Sequence, residues 1–536
     1  MVNRKSKMGR IAQLDHAYVW HPFTQMRDWL KREPIIITSG QCAVLRDVHG
    51  DEYLDANSSI WTNLHGHNHP KINVAIHRQL RKISHSSALG LANEPASLLA
   101  SELVKLANPG CSARKRRKGE EERRGKSPFP LLPFSPLQRV FFSDDGSTAM
   151  EVALKLAYEF TRRTRGRPVG RVSSRAGSSG DSRRPRFLSL EGAYHGDTVG
   201  AVALGHIDLF HKAYAGLLFQ TDQVMSPYCY RCPFNRATPE RADAREYRKC
   251  DWECVALVEK KFRAQKKRGN PYAAFVFEPL IQGAAGMIPQ PNGWLRCVTE
   301  IARGHGALLI ADEVMTGFGR TGTESEKVGE WESGKLPPAH FPTCSPASLF
   351  ACHHEGVQPD FLCLAKGLTG GYLPMAATLT TQRVFDAFLG EYHEFKTFFH
   401  GHSFTGNQLG ASAALASLEI LAGKRSVAAR AALETTFRRE LRSLWSLPQV
   451  GDIRQVGLVI GVELVRNWRT REPFDVRERA GIRVCEAMAR RGVLTRPIGN
   501  VIVLMPPYCT TAKQARQMVA ALRESVAEAF QSKVGK

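Results

Sequence analysis

Five short apolar runs in the middle of the chain, RVFFSDD, RFLSLEG, AAFVFEPL, GALLIADEV and FLCLAKG, constrain its fold more than any other feature. Between them lie segments such as GSTAMEVALKLAYEF and GWLRCVTEIARGHG, with apolar residues at three- and four-residue spacing, which predicts helices. Strands that alternate with helices build a mostly parallel sheet covered on both faces. In such sheets ligands collect at the carboxyl ends of the strands. Polar residues stand there in this chain, including Asp145, Glu278, Asp312 and Lys366. The two ends of the chain read as a second layer. AVLRDVHGDEYLDA is hairpin-like with Gly50 in its turn, and DIRQVGLVIGVELV and VIVLMPP are strand patterns near the other end. The expected fold is α/β: a large domain over residues 86–415 with a mostly parallel central sheet, and a smaller α/β domain from residues 1–85 and 416–536.

With 536 residues, 43% of them hydrophobic, the chain can bury cores of that size. No apolar run approaches the roughly 18 residues that span a bilayer. The basic start MVNRKSKMGR has no apolar stretch of signal-peptide length behind it, so a soluble, cytoplasmic protein is expected. The net charge of +23 invites a nucleic-acid reading, but its location argues otherwise. Residues 111–126 carry a net +5 and residues 161–186 a net +8, so +13 resides in two polar stretches that cannot form a core. They read as solvated insertions (111–137 and 161–186), with a third, proline-containing one at 324–348. Binding of nucleic acid through them is the non-enzymatic alternative, and they lack the interleaved aromatics that base stacking needs.

Twelve cysteines in a chain this long are not a disulfide scaffold. Cys297, Cys363 and Cys485 fall in element patterns and read as small core residues. Cys229 and Cys232, in CYRCPFN, and Cys250 and Cys254, in KCDWEC, have spacings compatible with zinc. A structural zinc clip and reduced thiols packing a surface excursion are both open readings, and no other metal site is expected.

Four features bear on chemistry. At DDGSTAMEVALK a strand ends, Gly146 permits a tight turn and a helix begins near Ser147, which offers free N–H groups to an anion. An ordinary helix cap by Asp145 or Ser147 is the plain alternative. There is no Gly-x-Gly-x-x-Gly and no Walker lysine, so neither a dinucleotide nor ATP is favoured. Asp312 and Glu313 end an apolar run, where a buried carboxylate needs a partner. Tyr194 and His195 lie in a glycine-flanked turn after a strand, where an aromatic face stacks on a flat ligand or simply packs. Lys366 follows an apolar strand and either snorkels to water or is used covalently. An anion pocket, an acid, an aromatic plate and a lysine at neighbouring strand ends are together what pyridoxal phosphate requires.

LLIADEVMTGFGRTG followed by LAKGLTGGYLPMAA resembles the class III pyridoxal-phosphate aminotransferases. HPFTQM, SSIWTNLHGHNHP, YHGDT, FFHGHSFTGNQLG and LTRPIGNVIVLMPP extend the resemblance from Leu14 to Val526, the three insertions apart. It implies a fold-type I transferase and, from the segments just quoted, transamination of 8-amino-7-oxononanoate to 7,8-diaminononanoate in biotin biosynthesis. The implied donor is S-adenosylmethionine or lysine; an ornithine, 4-aminobutyrate or polyamine aminotransferase is the alternative. The resemblance further implies that Asp145, Gly146 and Ser147 hold the cofactor phosphate and that Tyr194 stacks on its ring and touches substrate. By the same resemblance Asp312 meets the ring nitrogen and Lys366 binds the cofactor covalently. His402 and Ser403 would complete the phosphate site of a neighbouring subunit, making an obligatory homodimer. Gly401, Arg320 and Arg496 would bind substrate, Arg496 through the far carboxylate of the keto acid. The family often has tyrosine at Phe23, a tryptophan pair at Ile60 and Trp61, and tyrosine at Val503. Those departures remove hydroxyl-bearing aromatics from the substrate pocket, and IDLFHKAY, KTFFHGHSFTGNQLG and LTRPIGNVI resemble the branch that takes lysine as donor, toward which the expectation leans with S-adenosylmethionine a near equal.

Overall fold

A computed structural model describes residues 9–109, 135–165, 184–322 and 349–531. Most of each expected insertion lies outside the described residues. The central sheet has seven strands, in spatial order Leu137–Ser143, Ala376–Thr381, Phe361–Leu364, Leu308–Asp312, Ala274–Phe277, Phe187–Leu190 and Asp222–Val224. Ala376–Thr381 alone runs antiparallel to its neighbours; the other six share one direction. The strands read as unbroken apolar runs because both faces are covered. Ile310 and Phe361 face the Gly146–Thr164 helix through Met150, Ala153, Ala157 and Phe160. Their neighbours Leu309, Ala311 and Leu362 face the opposite way, into a core with Val258, Phe262, Trp294 and Val298. No helix among the described residues is long and apolar enough to cross a membrane.

One boundary differs from the expectation. Thr161–Thr164 is not solvated loop but the last turn of the Gly146–Thr164 helix. Its arginines serve the fold: Arg163 pairs with Glu159 at 2.9 Å and donates to the Ala387 and Lys396 carbonyls, while Arg165 donates to those of Pro271, Tyr272 and Gly306. A basic run signals solvation in composition, yet it also satisfies carbonyls that strand and helix ends leave open. Likewise Leu137, placed at the edge of the first insertion, begins a strand.

The ends of the chain meet. Val44–Asp47 and Glu52–Asp55 form the expected hairpin, with Gly50 at φ 85°. Glu52–Asp55 pairs in parallel with Val493–Leu494 from the far end. A second, antiparallel sheet contains Val450–Val456, Val459–Asn467, Val501–Leu504 and Pro497–Ile498.

Candidate active site

Asp312 is the last residue of its strand and is buried. Its Oδ2 lies 2.7 Å from His195 Nδ1, and its Oδ1 accepts from the Val314 N–H at 3.1 Å. Strand alternation turns the neighbouring Glu313 the other way, where it accepts the Ala351 and Cys352 N–H groups and holds a turn. Of the two adjacent acids, therefore, Asp312 faces the site and Glu313 the scaffold.

Lys366 follows the adjacent strand at φ 46°, a strained backbone for a lysine. Its Nζ stands 4.6 Å from the centre of the Trp61 ring. Burial pulls the amine below its ordinary range, Asp312 and Glu278 oppose that, and Arg320 adds to it. Glu278 is buried too, and desolvation together with Asp312 pushes its carboxyl up to about 7, although His195 pulls it back. It accepts from the Gly283 N–H at 2.8 Å. The pocket thus sets a desolvated amine among carboxylates at the strand ends.

The Gly146–Thr164 helix opens beside this group. Asp145 is its cap: the carboxylate accepts from Thr148 N–H at 2.9 Å, and Thr148 Oγ1 accepts from Asp145 N–H at 2.9 Å. The capping reading of Asp145 is therefore correct, and the first-turn N–H groups at Gly146 and Ser147 remain directed outward. The turn carrying Tyr194 closes on them. Asp197 N–H donates to Ser147 Oγ at 3.2 Å, and Gly196, at φ 119°, passes so near that a Cβ would overlap that oxygen. A Cβ on Gly146 would meet Val314 at 2.6 Å. Tyr194 donates to Asp197 at 2.8 Å and stands parallel to His211, 6.3 Å between ring centres. Phe210 links Tyr194 to the exposed Phe23.

The opposite wall is unusual. Ser58, Ser59, Ile60 and Trp61 all have positive φ, between 45° and 67°. Asp55 holds this left-handed turn, accepting from Ser59 N–H, Ser59 Oγ and His67 Nε2. Burial raises the Asp55 carboxyl, but these bonds outweigh it and hold the group below the usual range. Trp61 Nε1 donates to Asn57 at 2.9 Å, which fixes the ring above Lys366. Val503 lies behind this wall in an apolar cluster with Met315, Met505 and Trp61.

The remaining sequence candidates are less closely gathered. Arg320 is buried; it donates to the Pro506 carbonyl at 2.7 Å and stands over Tyr508. Arg496 is exposed between Val493–Leu494 and Pro497–Ile498, and Ile498 packs against the same apolar cluster as Trp61. Gly401 is exposed. His402 Nδ1 lies 2.9 Å from Asp144 of the same chain, and the Ser403 carbonyl accepts from His85. What sequence reasoning missed is His195 as the partner of Asp312, and Asp55 as the anchor of the Trp61 turn. The aromatic YHGDT turn drew notice to His195, but nothing local signals either pairing.

The residues fit pyridoxal phosphate. A helix start, a strand-end carboxylate and a desolvated lysine lie at neighbouring strand ends, and the buried His195 Nε2 has no partner among the described residues.

A family model described as aminotransferase class-III matches residues 26–324 and 346–526. An adenosylmethionine-8-amino-7-oxononanoate aminotransferase of Nitratidesulfovibrio vulgaris is 43% identical over 521 residues, covering 97% of this chain and 82% of the relative. One from Geobacter sulfurreducens is 42% identical over 96% of both chains. The crystal structure of the Methanocaldococcus jannaschii protein of that name matches with TM-score 0.78 at 36% identity, over 97% of this chain and 99% of that one. An amine transaminase from an uncultivated Pseudomonas species, solved with pyridoxal phosphate bound, matches with TM-score 0.76 at 29% identity, covering 95% and 98%.

Proposed function

The chain belongs to the class-III aminotransferases, and on that premise we propose that it aminates 8-amino-7-oxononanoate to 7,8-diaminononanoate for biotin biosynthesis. Near-full-length likeness to relatives named for that acceptor carries the reading. The cofactor is pyridoxal phosphate, which when bound supplies a ring that accepts electrons as the substrate Cα proton leaves.

The chain's own residues divide the work. Lys366 binds the cofactor and carries the proton at Cα, for which its desolvated amine is suited. Asp312, oriented by His195, presents its carboxylate to the ring nitrogen. Gly146 and Ser147 offer N–H groups to the phosphate beside the Asp145 cap, and Tyr194 provides an aromatic face. Trp61 stands over Lys366, the exposed Phe23 and Ile60 meet substrate as it enters, and Gly401 lies at the rim. Arg320, committed to the Pro506 carbonyl, frames the donor side. Arg496 receives the far carboxylate of the acceptor, since its planar fork meets both oxygens. The resemblance of IDLFHKAY, KTFFHGHSFTGNQLG and LTRPIGNVI to the lysine-using branch supports lysine rather than S-adenosylmethionine as donor.

The assembly is a homodimer in which His402 and Ser403 serve the neighbouring site. Exposed Leu89, Leu91, Phe399 and Phe404 support it, with Phe404 packed on His85 beside that loop. The division at residues 85/86 and 415/416 into large and small domains is part of the same reading. The ten cysteines among the described residues are free thiols.

Purified protein supplied with 8-amino-7-oxononanoate and each donor in turn tests the function. Formation of 7,8-diaminononanoate with lysine is the expected result, and formation only with S-adenosylmethionine would reverse the donor assignment. Turnover of ornithine or 4-aminobutyrate without any reaction of the keto acid would overturn the acceptor.

A further inference from the structure

Four cysteines in the 227–254 excursion have no part in that chemistry, yet the fold gathers them. Cys229–Arg231 forms one tight turn and Cys232 follows it. Asn235 ties this turn to the second pair: its Nδ2 donates to the Cys229 carbonyl at 3.0 Å, and its Oδ1 accepts from Lys249 N–H at 3.0 Å. Arg236 N–H donates to the Lys249 carbonyl at 3.0 Å, so Cys250 is carried alongside. Trp252, at φ 59°, then turns the chain into the Glu253–Lys267 helix, whose first turn holds Cys254.

All four thiols line a single cavity of about 10 Å³, with Pro227, Asn235, Arg248, Trp252 and Pro291 completing its wall. That is space for roughly one water-sized centre. Among the described residues no carboxylate lines it. The surroundings suit thiolate sulfur: the Phe234 and Asn235 N–H groups point at Cys232, the Val255 N–H at Cys254, and Arg248 Nη1 lies 3.2 Å from Cys250 Sγ. As the side chains stand, no three His, Cys, Asp or Glu among the described residues are arranged to hold a metal. Closure on an ion therefore takes rotamer steps at these short side chains.

We propose that Cys229, Cys232, Cys250 and Cys254 bind one zinc ion as a tetrathiolate. Binding releases four thiol protons and leaves the centre with a net charge of −2, which the Arg248 guanidinium partly offsets. The excursion it closes is anchored on the terminal sheet, where Tyr228 and Arg231 both bond Glu463 and Arg245 donates to the Gln455 carbonyl at 3.0 Å. The zinc is structural, since four sulfurs leave no open coordination position for substrate.

Metal analysis of the purified, cofactor-loaded protein from zinc-supplemented cells tests this. About one zinc per chain is expected, along with loss of that zinc in the Cys232→Ser/Cys250→Ser variant. Because the variant could fail to fold, cobalt(II) is also exchanged into the unaltered protein. It should give intense thiolate-to-cobalt charge-transfer absorption with tetrahedral ligand-field bands. Zinc below about a tenth of an equivalent, retention of zinc by a folded double variant, or octahedral cobalt without thiolate bands would each overturn the proposal.

Discussion

Lys366 and Glu278 show how burial acts in opposite senses on a base and an acid, depressing the amine and raising the carboxyl. The sign for Glu278 can be followed through. An unfolded glutamate ionises near 4.5 and the folded one near 7, so the native state keeps a proton that the unfolded state gives up. Its contribution to stability is intact below pH 4.5, falls as the pH rises through that window, and is lost above 7. Glu278→Gln should flatten the decline in unfolding free energy of cofactor-free protein between those limits, by up to about 3 kcal/mol at neutral pH in denaturant titrations. A second residue-scale expectation concerns Asp312→Asn. It should still bind the cofactor, seen by absorbance, yet lose turnover by about 10²-fold or more, because the amide no longer places a negative charge at the ring nitrogen. The placement of Lys366 and Asp312 at neighbouring strand ends was legible in the sequence only through the combination of features, since each residue alone had an ordinary structural reading. The His195–Asp312 contact was not, since it joins positions 117 residues apart and no periodicity encodes such a pairing.

Secondary structure was legible where a pattern repeats, as in the buried parallel strands and the amphipathic Gly146–Thr164 helix. It was illegible where geometry depends on a distant anchor. The four consecutive left-handed residues from Ser58 to Trp61 contain no glycine, so local propensity argues against them. Asp55 imposes the turn through its bonds to Ser59 and His67. Asp55→Ala should destabilise the protein by about 2–4 kcal/mol in denaturant unfolding, as expected for stripping a buried charged acceptor from its donors. It should also raise KM more than it lowers cofactor content, because the wall over Lys366 loosens while the helix start is untouched. At that helix start, Gly196→Ala sets a methyl group against Ser147 Oγ. The Tyr194–Asp197 turn must then move off the first-turn N–H groups. Cofactor affinity should fall about tenfold or more, measurable by titrating apo-protein with pyridoxal phosphate.

For the molecule as a whole, the proposed sharing of sites between subunits has a direct test. Lys366→Ala and His402→Ala proteins should each be nearly inactive, and unfolding and refolding them together should restore activity. In the mixed dimer one site combines an intact lysine with an intact loop, whereas recovery is excluded if every site belongs to one chain. The meeting of the two chain ends was legible in outline, from strand patterns at both extremes. The register that pairs Glu52–Asp55 with Val493–Leu494 was not, because parallel pairing across such a separation leaves no local mark. That pairing has a consequence during synthesis. The wall bearing Trp61 rests on the far end of the chain: Ala56 N–H donates to the Leu494 carbonyl, Ser58 Oγ to that of Met505, and Tyr508 N–H to that of Leu64. A nascent chain leaving the ribosome carries Lys366 and Asp312 long before it carries these supports. Translation must therefore pass residue 508 before the wall bearing Trp61 has its supports, and a chain cut short ahead of residue 493 leaves that wall unbraced over Lys366.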